Sequence, residues 1–230
     1  MGKEEESRHV QLPNDMSGGG LDPWDMLVYL SIRSFINKDG KAYPSLRKIS
    51  KVSGLCVDRV RECIGNLEKE DYIVVERNGK GSLYRFNEYK AFEPFSYDFL
   101  ENEDLTVNEK AYIVATQQYM FKDKEGVGRI MYPNTKLAKM INVSEGMIRK
   151  CDKSLVAKGY LARIENGKEF NLAKIGQMIV WVLKNHEDRI TENTESINEI
   201  KEDNKRMSDE IEMLKEEIRK LKGSGKEFVM

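Results

Sequence analysis

The sequence is poor in the residues that build covalent or metal-bound frameworks, with 3 cysteines and 2 histidines in 230 residues. Cys56, Cys63 and Cys151 are too few and odd in number for a disulfide scaffold. With His9 and His186 far apart and no Cys-x-x-Cys pair, the usual zinc ligand sets are missing, and no cofactor or metal is expected. Long apolar runs are missing too. The most apolar stretch, Met178-Ile179-Val180-Trp181-Val182-Leu183, falls far short of the roughly 20 residues that cross a bilayer. The first residues, Met1-Gly2-Lys3-Glu4-Glu5-Glu6, offer no apolar segment of the kind a secretory signal carries. A reducing, cytoplasmic setting is expected. Finally, neither charge dominates: 38 Lys+Arg stand against 39 Asp+Glu, a formal charge of −1. Taken alone, that balance argues against a nucleic-acid partner, whose usual footprint is basic.

The average conceals a layout. Residues 1–20 carry −2, 21–92 carry +3, 93–104 carry −5, 105–172 carry +5 and 173–230 carry −2. The two basic blocks are also an internal repeat. Tyr43-Pro44-Ser45, Ile49, Cys63, Leu67, Tyr72-Ile73 and Asn78-Gly79-Lys80 return as Tyr132-Pro133-Asn134, Leu137, Cys151, Leu155, Tyr160-Leu161 and Asn166-Gly167-Lys168. From Ile49 to Tyr72 the offset is a constant 88, which places Leu55 on Val143 and Val60 on Ile148. Two copies of one supersecondary unit explain this economically.

Each copy predicts the same order of elements. A helix comes first, through Leu27, Leu30 and Ser34 or through Ala111, Ala115 and Tyr119. A short helix then starts near Ser45 or Asn134, both good N-cap types. A tight turn follows at Gly54 or Asn142, residues that tolerate a left-handed backbone. Next comes a longer helix, with Val57, Val60, Ile64 and Leu67 at helical spacing in copy one. Two β-rich runs around an Asn-Gly turn close the unit as a hairpin. Helix, helix-turn-helix and hairpin is the order of a winged helix. The expected fold is therefore mainly α with small β-hairpin wings (α+β): two tandem winged-helix domains followed by a parallel coiled coil. The expected parts are a flexible arm over 1–20, winged-helix domains at 21–92 and 105–172, and an aromatic, acidic linker at 93–104. A helix over 173–222 and a flexible tail at 223–230 complete the chain. The linker rings, Phe92 to Phe99, are expected to pack between the modules.

The C-terminal helix repeats every seven residues. Position a holds Ile190, Ile197, Asn204, Ile211 and Ile218, and position d holds Asn193, Ile200, Met207, Leu214 and Leu221. Such spacing over 190–221 predicts a coiled coil. Ile at a with Leu at d, and one Asn in the core, favour a parallel in-register dimer, although Ile200 at d leaves a trimer open. Glu210 and Glu217 at g would face Lys215 and Lys222 at e of the partner.

Catalysis finds no constellation. Gly18-Gly19-Gly20 follows no strand, Gly79-Lys80-Gly81-Ser82 lies in a hairpin turn, and Gly223-Ser224-Gly225-Lys226 precedes no helix, so none is a phosphate loop. An enzyme is not expected. Duplex DNA has the physical case, because the second helix of a helix-turn-helix enters the major groove while the first crosses the backbone. In copy one, Arg59 or Arg61 is placed to read guanine. Ser45, Arg47, Lys48 and Lys51, with Arg77, Lys80 and Arg85 in the wing, suit phosphate. In copy two the matching set is Asn134, Lys136, Lys139, Arg149, Lys150 and Lys153, with Arg163 and Lys168 in the wing. Copy two is the stronger candidate by charge. The competing expectation is a protein adaptor or virion component that uses these modules as scaffolding.

Tyr43-Pro44-Ser45 through Glu70-Asp71-Tyr72-Ile73 resembles the winged helix-turn-helix of phage and plasmid replication-initiation and replisome-organiser proteins. The common pattern is Tyr/His-Pro-Ser, a short helix, Gly-x-Ser, a long helix, Leu-x-x-x-Gly-Tyr-Ile and a wing. Here Gly54-Leu55-Cys56 stands for Gly-x-Ser and Asp71 for the later Gly, while Lys158-Gly159-Tyr160-Leu161 is nearer the common form. The resemblance covers 21–92 well and 105–172 fairly, and leaves the tail out. It implies a phage or mobile-element protein acting in replication or transcription, with the replication or transcription machinery as further partners. Many bacterial transcription regulators share these motifs.

Overall fold

The computed structural model describes residues 9–16, 20–77, 81–89, 91–123, 126–175, 205–208 and 211–215. The chain divides into two units, 1–182 and 183–230.

Within the first unit two helices are apolar on nearly every side and form the spine. Helix α1 (Pro23–Arg33) starts at Asp22, whose carboxylate accepts from the Trp24 and Asp25 amides, while Asp25 reaches back to the Asp22 amide. This reciprocal cap, with Pro23 in the first turn, satisfies backbone donors that a helix start otherwise leaves open. Helix α5 (Val107–Thr116) repeats the device with Thr106 and Glu109. Met26 to Leu30 and Ala111 to Ala115 are buried, and the two helices pack against each other. A helix that is apolar all round belongs inside a core. Each such aliphatic or aromatic side chain contributes about 1.5–3 kcal/mol through burial.

Strand β1 (His9–Pro13) precedes α1, and strand β2 (Lys41–Ala42), helices α2 (Leu46–Ser53) and α3 (Val57–Lys69), and strands β3 (Ile73–Arg77) and β4 (Ser82–Phe86) follow it. Helices α2 and α3 pack on each other and on α1. The antiparallel sheet runs β2-β4-β3, with Ile73 opposite Phe86 and Arg77 opposite Ser82. Strand β5 (Phe92–Ser96) and helix α4 (Tyr97–Glu101) lead to α5. A 3-10 turn (Gln117–Tyr119), strands β6 (Phe121–Lys122) and β7 (Val127–Ile130), and helices α6 (Asn134–Met140) and α7 (Glu145–Ala157) come next. Strands β8 (Leu161–Ile164) and β9 (Gly167–Asn171) and the short helix α8 (Leu172–Ile175) complete this unit's described part. The second sheet runs β6-β7-β9-β8, so β7 lies on β9 as β2 lies on β4. The outcome is a mixture of helices and small antiparallel sheets, as the repeat predicts.

Turn chemistry follows the sequence. Gly54 has φ of 74° and Asn142, at the aligned position, 53°. Asp71 and Gly159, also aligned, have φ of 58° and 72°, so the position that holds Gly in copy two is left-handed in copy one as well. Glycine at 54 is required for a second reason, because a Cβ there would lie 2.5 Å from Val107 Cγ2 at the start of α5.

Several expectations fail. Residues 9–13 are not a flexible arm: they pair antiparallel with Phe92–Ser96, and Val10, Leu12 and Met16 are buried. The linker carries regular structure. It supplies β5 and α4, and Phe95, Phe99 and Leu100 join the core. Alternating burial of Val10 and Leu12 on one side of β1 is the physical reason, since those side chains have an apolar face to cover. The second hairpin turns at Glu165-Asn166 and not at Asn-Gly, because Ile164 pairs with Gly167. The α6 N-cap is Pro133, so Asn134 is the first helical residue and not the cap.

Residues 205–208 and 211–215 are helical. Met207, Ile211 and Leu214 are 54%, 52% and 57% exposed. The other expected zipper positions, Ile190, Ile197, Ile200, Asn204, Ile218 and Leu221, lie outside the described residues.

Candidate nucleic-acid interface

Ser45 caps α2, its hydroxyl accepting from the Lys48 amide at 3.3 Å. Ile49 and Ser53 turn inward, which leaves Arg47, Lys48 and Lys51 exposed on the opposite face. None of these three has a carboxylate partner among the described residues. The short first helix thus presents a basic stripe suited to phosphate.

The longer helix behaves differently. Val60, Cys63, Ile64 and Leu67 are buried, and the outward face carries Asp58, Arg61, Glu62, Gly65 and Lys69. Arg59 is turned back into the fold. It pairs with Asp22 at the α1 start and with Glu62 at 2.6 Å, and its guanidinium lies 5.7 Å from the centre of the Trp24 ring. Burial works against its charge, but Glu62 and Asp22 outweigh this and raise its pKa further. Arg59 therefore anchors α3 to α1 and is not placed to read guanine. Arg61 is exposed and paired with Asp58 at 2.7 Å. On the hairpin, Arg77 pairs with Glu68 and Arg85 with Glu76. Lys80 lies outside the described residues.

In the second copy Ser144 caps α7, accepting from the Met147 amide at 3.2 Å. Lys136, Lys139, Lys150, Lys153 and Arg163 are exposed, with no carboxylate partner among the described residues. Lys136 stands 4.8 Å from the centre of the Tyr132 ring. Arg149 pairs with Glu145 at 2.7 Å one turn earlier, yet its side chain stays largely in solvent.

Lys168 is not a surface contact. It is 4% exposed, with its ammonium 2.7 Å from Asp152, 2.9 Å from the Tyr112 hydroxyl and 2.9 Å from Asn134 Oδ1. Tyr112 in turn donates to Asp152 at 2.8 Å. Burial lowers the Lys168 pKa, and the Asp152 carboxylate works in the opposite direction. Asn134, half-exposed, lends its Oδ1 to this network. The sequence did carry a signal for it: at the constant offset of 88, Asp152 falls on Ile64, a buried position in copy one. A carboxylate in such a place needs a partner cation.

The two copies meet at the helix starts. Trp24 Nε1 donates to Asn108 Oδ1 at 3.0 Å, while Lys122 of β6 pairs with Glu93 of β5. Residues 19–73 match a helix-turn-helix domain family. The matched span contains α1, α2, the Gly54 turn and α3, and it makes DNA the partner to which this segment points. Comparison with curated proteins found no match. Among the described residues no helix is long and apolar enough to cross a membrane. No group of three or more His, Cys, Asp or Glu there is placed to hold a metal ion.

Proposed function

We propose that this chain is a tandem winged-helix protein that binds duplex DNA, dimerises through its C-terminal helix, and serves replication or transcription of a phage or mobile element. The observation that carries the reading is the helix-turn-helix match over 19–73 together with the exposed Arg47, Lys48 and Lys51 of α2, which have no carboxylate partner among the described residues. The repeat in sequence and the corresponding element order of 107–171 support a second winged helix. The exposed apolar residues Met207, Ile211 and Leu214, at heptad positions, support a partner helix for the tail. Each module carries only a small positive charge, so joining modules in a dimer would supply much of the avidity.

The test is a fluorescence-polarisation titration of labelled duplex at several salt concentrations, with sedimentation on the same samples. Binding at low salt that weakens log-linearly as salt rises is expected, because phosphate contacts release counterions. Absence of binding at low salt would refute DNA as the partner. A monomer at micromolar concentration would refute the coiled-coil part.

A further inference from the structure

The repeat puts α3 and α7 in one register, so their outward faces compare position by position. Asp58 aligns with Gly146, Arg61 with Arg149, Glu62 with Lys150, and Gly65 with Lys153. All eight are exposed. On a helix these positions are spaced three, four and seven residues apart and form one stripe. The stripe is mixed in α3, with two carboxylates beside one arginine. In α7 it holds three cations and a glycine, with no carboxylate.

Pairing sharpens the contrast. On α3, Arg61 is tied to Asp58, and its neighbour Arg59 is held by Asp22 and Glu62. On α7, Arg149 is likewise paired with Glu145, but Lys150 and Lys153 have no carboxylate partner among the described residues. Gly146 stands in the first turn of α7, where an added Cβ would come no nearer than 3.9 Å to any neighbour, so the helix start is open to a close backbone approach. A phosphate or base edge meeting α3 would face Asp58 and Glu62 and would have to displace existing ion pairs. Meeting α7, it finds Lys150 and Lys153 with no carboxylate partner among the described residues, next to a first turn in which Gly146 carries no side chain.

We infer that α7, which lies outside the segment matched as a helix-turn-helix, is the helix that reads duplex DNA in this chain. Helix α3 makes no base contact, and the first copy contributes through the phosphate-facing residues of α2. This rests on the DNA-binding reading above and assigns its specificity to one helix. In the matched domain the second helix serves to hold α1 through Arg59.

The test uses the full chain and two probes, a labelled random-sequence duplex and the duplex the parent protein selects from a randomised pool. One variant gives α7 the α3 face: Gly146→Asp, Lys150→Glu and Lys153→Gly. The second is Arg61→Ala. A third gives α3 the α7 face: Asp58→Gly, Glu62→Lys and Gly65→Lys, the last at a position where a Cβ meets nothing within 4 Å. All sites are on the surface, and circular dichroism verifies each fold. The α7 variant is expected to bind the selected duplex at least about tenfold more weakly and to lose its preference over the random one. Its salt slope is expected to fall by about 2, at about 0.9 per lost phosphate contact. Arg61→Ala should stay within about twofold of the parent, and the α3 variant should gain random-duplex affinity without altering the selected sequence. Equal loss in Arg61→Ala and the α7 variant, or an unchanged α7 variant, would overturn the assignment. If the parent itself binds neither duplex at low salt, the DNA-binding reading falls first, a result no variant can imitate.

Discussion

Lys168→Met removes the cation from the buried network around Asp152 while keeping an unbranched side chain of most of the same volume. Lys168 and Asp152 are 4% and 2% exposed, and the ammonium makes its three hydrogen bonds to Asp152, the Tyr112 hydroxyl and Asn134. After substitution Asp152 keeps only the bond from Tyr112, and a carboxylate is left uncompensated between α5, α7 and β9. Removing one partner of a buried pair costs about 3–5 kcal/mol. Asn134 is half-exposed and can turn to water, which favours the lower half of that range. For a unit of this size, each kcal/mol shifts the melting temperature by about 2–4 °C, so a drop of about 6–15 °C is expected. Urea unfolding followed by circular dichroism gives the same quantity from the midpoint at unchanged slope. The double variant Asp152→Leu with Lys168→Met should regain most of the loss, because replacing the whole pair by apolar groups is often neutral or stabilising. A single variant that loses under about 1 kcal/mol while its DNA affinity falls would refute the buried placement and return Lys168 to the surface.

Three further outcomes follow from particular contacts. Gly54→Ala must place a side chain in a left-handed conformation and within 2.5 Å of Val107 Cγ2. About 1–2 kcal/mol of backbone strain and 1–3 kcal/mol of overpacking are expected by urea unfolding, with part of the packing loss returned by Val107→Ala; full stability in Gly54→Ala alone would contradict the contact. Thiol titration of the native protein should show Cys56 reacting alone, because burial raises the Cys63 thiol and pushes Cys151 up to about 12, while unfolding should release all three; a second fast thiol in the native state would contradict the buried positions. At Glu109 burial opposes the carboxylate, but hydrogen bonds from Lys158, Ser154 and Thr106 outweigh it and lower the pKa. That contribution is present above the unfolded value of about 4.3 and is lost as pH falls through the lower folded value. Glu109→Gln should therefore cost about 1–3 kcal/mol at neutral pH and flatten the stability profile below about pH 4; an unchanged acid limb would refute it.

Local chemistry was legible where a cause lies within a few residues of its effect. Ser45 caps α2, Gly54 and Asn142 take left-handed turns, and Val60, Cys63 and Leu67 face inward, because caps, turns and helical periodicity are short-range matters. The β1–β5 pair was illegible, since it joins His9 to Ser96 and neither run signals strand without the other. The Asn-Gly turn of the second hairpin misled as well. Gly167 is paired with Ile164 and belongs to the strand, which leaves Glu165-Asn166 as the turn.

By itself the sequence determined a repeated unit, its order of helices and hairpin, and a basic stripe on each copy, because composition and period are properties of the chain. Tertiary structure alone decided which cations remain available to a ligand. Arg59 is neutralised by Asp22, 37 residues away, and Lys168 is enclosed by Tyr112, 56 residues away, and Asp152, 16 away. A charged side chain is spent or free according to the carboxylates that folding brings beside it, and desolvation makes that pairing obligatory inside the core. The same accounting leaves Lys150 and Lys153 facing water on a helix whose counterpart is already neutralised.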